Sequence, residues 1–276
     1  MQSGTGRGIK TLKFQMKEIG VVILSAPKMK NSRLFLSRFL HCIVWSVAGL
    51  SFASAAESVS NLRSAAQQST TPQQALDRLM EGNARFAAGH ASSRDLAAEV
   101  KQTAAGQYPV ASIVTCLDSR TSAEYLFDLG LGEAFCARVA GNFVNEDILG
   151  SLEFAHKAAG AKLIVVLGHS ACGAVKGACD DVKLGNLTAT LAKIRPAVAA
   201  VKDDGTPRNS KNAAFVEKVA EANVRLTVQQ IRERSPVLKE MLDAGQIGIV
   251  GGMYDLATGK VTLYPDTVTN VKVAAK

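Results

Sequence analysis

Apolar side chains at Leu76, Leu79, Met80 and Phe86 fall on one face of a helix. Thr71, Pro72 and Gln74 supply a capping box with proline in the first turn, and Gly89 ends the helix. The period then shortens. Residues 109–115 (PVASIVT) read as a strand, 116–120 as a polar turn and 133–139 as a second strand. Residues 150–159 read as a helix with Leu152, Phe154 and Ala155 facing inward. The run 162–167 (KLIVVL) is almost wholly apolar, which predicts a strand buried on both faces. Helices are expected over 174–182, 187–201 and 213–234, a strand over 247–250, and a hairpin turn at 257–260 leading into 261–264. Strands alternating with helices predict an α/β fold with a mostly parallel central β-sheet flanked by helices.

One stretch fits neither period. From Phe39 to Ala56 there is no charge, with Lys28, Lys30, Arg33 and Arg38 before it and Glu57 after it. A basic segment, an apolar segment and the small residues Ala53-Ser54-Ala55 predict a secretory signal cleaved near Ala55, and hence a periplasmic or secreted chain. The alternative is a membrane anchor formed by residues 39–56, which Ser, Gly and Ala in its second half weaken. Residues 1–28 are long for the basic part of a signal, and Met29 would open a more typical one. The chain thus divides into 1–55, an extension with signal peptide; 56–70, a polar flexible linker; and 71–276, the folded domain.

The leader also changes the meaning of the charge. The 276-residue chain carries a formal +8, but residues 1–55 hold eight basic residues and one acid. The remainder, with 24 basic and 23 acidic residues, balances to +1, which argues against a nucleic-acid surface. Five cysteines in so long a chain exclude a disulfide scaffold.

Two polar segments each follow a predicted strand: Cys116-Leu117-Asp118-Ser119-Arg120 and Gly168-His169-Ser170-Ala171-Cys172-Gly173. Ligands collect at the carboxyl ends of strands in such sheets. Cys116, His169 and Cys172 make a two-cysteine, one-histidine set, the pattern of a zinc site with its fourth position open. Spacing alone leaves the bland alternative standing, because a buried free cysteine is usually a small core residue. Asp118 and Arg120 are close enough to pair in the turn, and Asp118 so held could accept a hydrogen bond from a water on the metal.

Taken together, C-x-D-x-R and G-H-S-x-C-G some fifty residues later resemble the β-class carbonic anhydrases. The resemblance spans Pro72 to Tyr264 and includes the opening helix from Pro72 to Phe86, the segment from Arg138 to Phe154 (RVAGNFVNEDILGSLEF) and the ending Tyr254-Asp255-x-x-Thr258-Gly259-Lys260. It implies reversible hydration of CO2 to bicarbonate and a proton by zinc-bound hydroxide, with one Zn2+ per chain on Cys116, His169 and Cys172. It implies Asp118 and Arg120 as the catalytic dyad, and Gln107, Phe135 and Gly173 as substrate-binding positions. It also implies an N-terminal helical arm that packs on a partner subunit, hence a homodimer or larger homo-oligomer. Members with a second, inhibitory bicarbonate site carry Trp three residues before the first cysteine. Ile113 stands there, so the open-site arrangement of plant-type members is expected, with Asp118 on Arg120. Leu117, Ala140 and Phe154 depart from the plant pattern.

The same motifs suit a CS2 or COS hydrolase and, in another class, a non-catalytic zinc-binding protein; the Asp118–Arg120 pair argues against the latter. His90 and His156 are expected to serve surface or packing roles, and Cys136 and Cys179 to be free thiols.

Overall fold

The structure is a computed structural model that describes residues 65–273. The predicted signal, its cleavage point, the alternative anchor and residues 56–64 of the linker lie outside the described residues.

Five strands form one sheet: β1 (Ala111–Thr115), β2 (Ala134–Arg138), β3 (Leu163–His169), β4 (Gly248–Tyr254) and β5 (Val261–Leu263), in the order β2-β1-β3-β4-β5. The first four are parallel; only β5 runs antiparallel, returning on β4 through the expected hairpin so that Val261 pairs with Tyr254. β1, β3 and β4 are buried along their whole length. That is why their sequence shows continuous apolar runs instead of alternation.

The sheet separates two cores. On one face Val114, Ile164, Val166 and Ile249 pack with Val216, Val219, Val224, Val228 and Ile231. These last five belong to the long helix Ala213–Arg234, whose apolar positions recur three and four residues apart. On the other face Ile113, Leu163, Val165, Leu167 and Val250 pack with Ala75, Leu76 and Leu79 of the helix Pro72–Ala87. That helix starts as predicted: the Thr71 hydroxyl accepts from Gln74 N–H and the Gln74 side chain accepts from Thr71 N–H.

Several expectations are corrected. In the opening helix, which the resemblance makes part of an arm on a partner, Leu76 and Leu79 are buried on their own sheet and are not the surface that would meet a partner. The end of the supposed linker, residues 65–69, is helical, and buried Gln67 donates to the carbonyls of Pro109 and Ala159. The helix expected over 150–159 begins earlier, at Glu146 under an Asn145 cap, and ends in a π-turn (Phe154–Ala158) that leaves Phe154 exposed. The span 187–201 divides into Leu187–Ala192 and Arg195–Ala200, because Pro196 can donate no backbone hydrogen bond and takes a first-turn position. Among the described residues no helix is long and apolar enough to cross a membrane.

Candidate metal centre and dyad

β1 ends at Thr115 and delivers Cys116; β3, its neighbour, ends at His169, and the turn beyond it delivers Cys172. Parallel adjacency therefore converts two distant segments into one cluster. The ligand atoms of Cys116, His169 and Cys172 all lie within 4.8 Å of one another and all three residues are buried. The two Sγ atoms are 3.9 Å apart. Two thiolates bound tetrahedrally at about 2.3 Å stand roughly 3.8 Å apart, so the sulfurs already have the spacing zinc requires.

The histidine carries the clearest sign. Its Nδ1 lies 3.0 Å from the Ser170 carbonyl, a bond in which Nδ1–H donates and Nε2 is left as the free lone pair. Nε2 is buried and has no hydrogen-bond partner among the described residues; Asp118 Oδ2 is 4.0 Å away, beyond hydrogen-bond range. A buried imidazole nitrogen is costly to leave unpaired, and a metal at the cluster satisfies it. The thiols are prepared in the same sense. The Cys116 thiol is held below the ordinary range, chiefly by the Cys172 thiol donating to it, with burial opposing and the backbone N–H groups of Gly141 and Asp118 assisting. Cys172 is correspondingly pushed up, first by its bond to Cys116 and then by burial. A cation bound between them would allow both thiols to ionise.

Asp118 and Arg120 form the bidentate pair that the spacing suggested. Arg120 Nε donates to Oδ1 at 2.9 Å and Nη2 to Oδ2 at 2.8 Å, while Arg120 N–H adds a third bond to Oδ1 at 3.0 Å. The guanidinium holds the carboxyl well below the ordinary carboxylate range. Asp118 is thus an acceptor at any ordinary pH, with Oδ2 turned toward the cluster.

A cleft of about 240 Å³ opens on this centre, lined mainly by Leu117, Ala140, Gly173, Ala174, Leu187 and Leu191 as well as Cys116 and Asp118. Gly173 lies at this cleft beside the cluster. Gln107 and Phe135 lie elsewhere in the chain. Gln107 precedes β1 and lies exposed beside a separate cleft with Arg78, Thr103 and Glu133. The five residues of β1, about 16 Å of extended chain, stand between it and Cys116. Phe135 pairs with Ser112 at the starting end of β1 and β2, and its ring meets Phe154 edge-on at 6.3 Å. Within one chain neither reaches the cluster. His90 is exposed; His156 is buried, donates Nδ1–H to the Ala161 carbonyl at 2.8 Å, and is pushed down to about 4 by burial, so it stays neutral. Cys136 and Cys179 are half-buried free thiols.

Gly141, present in the sequence only as part of the segment from Arg138 to Phe154, bears on the cluster directly: its N–H points at Cys116 Sγ at 3.4 Å, its φ is +86°, and a Cβ there would lie 2.3 Å from Ile194 Cδ1. Ala171, between the second and third cluster residues, holds a left-handed φ of 54°, local strain of the kind found at functional sites. Arg138 and Thr121, which bind the turn's carbonyls, carried no signal of their own.

The comparisons with known proteins agree with this geometry. A family profile described as carbonic anhydrase matches residues 111–261. Carbonic anhydrase 2 of Mycobacterium tuberculosis is 36% identical over 200 residues, covering 70% of this chain and 93% of that protein. The carbonic anhydrase of Mycolicibacterium smegmatis is 36% identical over 201 residues, covering 70% and 94%. Among solved structures, a Coccomyxa β-carbonic anhydrase in complex with acetazolamide superposes with a TM-score of 0.54 at 28% identity, covering 68% of this chain and 85% of that one. A two-cysteine, one-histidine centre at the ends of parallel strands, a carboxylate locked on arginine beside it and these relatives lead to one conclusion: the chain belongs to the β-class carbonic anhydrases.

Proposed function

We propose that this chain hydrates CO2 reversibly at the Cys116–His169–Cys172 centre, with Asp118 and Arg120 as its dyad. The observation that carries the reading is the coincidence of an unpaired buried His169 Nε2 with two sulfurs at zinc spacing, directly beside a carboxylate already neutralised by arginine. Zinc held by these three residues supplies a Lewis acid that brings a water's pKa toward about 7.

The rest is the work of the chain. Asp118, kept ionised and fixed by Arg120, accepts a hydrogen bond from the attacking water and orients its lone pair. The cleft beside it, walled by Leu117, Ala140, Leu187 and Leu191, suits an apolar triatomic substrate and offers little to a polar one. Gly173 leaves open space at its rim, since a Cβ there would touch nothing. The pairing of Asp118 with Arg120 holds that carboxylate away from the cluster, so a metal held by the three residues would keep a position for water.

The substrate roles read for Gln107 and Phe135 belong to this proposal in an altered form. Because their own cluster is out of reach, they act on the cluster of a second copy, which makes the active species a homodimer or larger homo-oligomer. The unpaired edge of β2 and the exposed ring of Phe154 support that assembly. Export to the periplasm or medium, with cleavage after Ala55, is supported by the basic and apolar pattern of residues 28–56; the exported chain's N-terminal sequence should begin at Ala56.

Metal content and activity together test the function. Purified full-length chain should hold one zinc per chain, lose CO2 hydration when a chelator strips it, and regain it on zinc addition. Full zinc without hydration would shift the reading to CS2 or COS hydrolysis, with CS2 the next substrate tried.

A further inference from the structure

The turn from Cys116 to Asp118 carries a cluster sulfur and the dyad carboxylate on residues only two apart. Packing holds it poorly: Leu117 between them is 59% exposed. Its backbone is instead gripped from the next strand. Arg138, the last residue of β2, donates Nε to the Cys116 carbonyl at 3.1 Å and Nη2 to the Asp118 carbonyl at 2.6 Å. The root of this side chain is fixed, because Arg138 pairs with Thr115 and the ladder continues beyond it through Val139 N–H to Thr115 O and Leu117 N–H to Val139 O. One other side chain, Thr121, approaches the same two carbonyls, its hydroxyl 2.9 Å from each. A hydroxyl has a single proton and serves one of them at a time. Only the planar fork of the guanidinium spans both at once.

We infer that Arg138 is a positioning residue for the metal centre. It sets the distance and angle between Cys116 Sγ and the Asp118 carboxylate by clamping the two peptide groups that carry them, and touches neither metal nor substrate. The inference rests on the zinc reading above and adds a consequence that reading does not contain. Metal retention and turnover should both depend on an arginine outside the ligand and dyad motifs.

Full-length wild type, Arg138→Gln and Arg138→Lys should be compared for zinc release to excess chelator, for the visible spectrum after cobalt(II) substitution, for kcat and KM, and for thermal unfolding. Arg138→Gln is expected to release zinc about tenfold faster or more and to lower kcat by a similar factor with KM little changed. Tenfold corresponds to about 1.4 kcal/mol, the low end for one charge-assisted bond. Its cobalt spectrum should shift while Tm stays within a few degrees. Arg138→Lys should recover little, since an ammonium cannot bridge both carbonyls, and it carries the same comparison if Arg138→Gln does not fold. Zinc release, spectrum and kcat equal to wild type, or full rescue by lysine, would overturn the inference; so would a lowered Tm with the other three unmoved. If the wild-type chain itself takes up no zinc, the metal reading fails first, and the inference with it.

Discussion

At residue scale the centre is made by backbone placement more than by side-chain packing. Gly141 shows this most directly. Its positive φ lets the chain turn back over Cys116, its N–H reaches the sulfur, and its carbonyl accepts from buried Asn223 at 2.7 Å. Gly141→Ala should destabilise the chain by about 1–3 kcal/mol, from strained φ and the collision with Ile194. A lower urea midpoint with an unchanged m-value would be the measure, and zinc loss should quicken in step. The Cys116–His169–Cys172 cluster and the Asp118–Arg120 pair were legible in sequence through two motifs at strand ends and their resemblance to one family, since spacing alone left a plain buried cysteine standing. Gln107 and Phe135 lie away from their own chain's cluster, and a match of spacing says nothing about which end of a strand a residue occupies or which copy's cluster it serves. Arg138 and Thr121 stayed hidden because they act on backbone carbonyls, and such bonds leave no periodicity to read.

At the scale of elements, the helix Pro72–Ala87 does double duty. Its apolar face covers the sheet, while Asn83 on it ties down the far hairpin. The Asn83 amide donates to the carbonyls of Leu126 and Gly259 and accepts from Val261 N–H, all from a buried position. Asn83→Ala strands these groups and should cost about 2–3 kcal/mol, read from urea unfolding. Replacing Thr71 at the cap by Ala should cost less, about 1 kcal/mol. The long helix and the buried strands were legible to within a few residues, since burial on one or both faces writes its period into the sequence. The short helix Leu96–Thr103 was not: it buries no residue, so no apolar stripe marks it. Pro236–Asp243, capped by Ser235 and burying Leu238, Met241 and Leu242, was not read either, because eight residues make too brief a period to stand out beside the helix that precedes it.

At the scale of the whole molecule, acid stability depends on buried ionisable groups remote from the centre. Asp128 is buried. Burial opposes its ionisation, but Arg85 Nε at 2.6 Å and both donors of Ser92 outweigh this, lowering its carboxyl from 3.8 to about 2. The unfolded chain therefore takes up this proton first as pH falls, and the stabilisation is present above about pH 4 and lost on descent to about pH 2. The unfolding free energies of wild type and Asp128→Asn should differ at neutral pH and converge over that window; a gap that persists below pH 2 would contradict the assignment. His156, held neutral by burial with its value lowered from 6.5 to about 4, adds a loss that begins higher, between those two values.

The α/β class, the parallel sheet and the near-neutral body were legible at this scale. The burial of Leu76 and Leu79 within their own chain was not, because an apolar stripe states only that it is covered and not by what. If Asp118, locked on Arg120, works the metal centre instead of merely lining it, its loss must cost turnover and leave the metal in place. Stopped-flow CO2 hydration by zinc-loaded wild type and Asp118→Ala at about pH 8.5, where the nucleophilic form is populated, separates the two roles. One zinc per chain is expected in both, with kcat/KM lowered roughly 10²-fold or more in the variant. Equal rates at equal zinc content would show that Asp118 has no part in the chemistry.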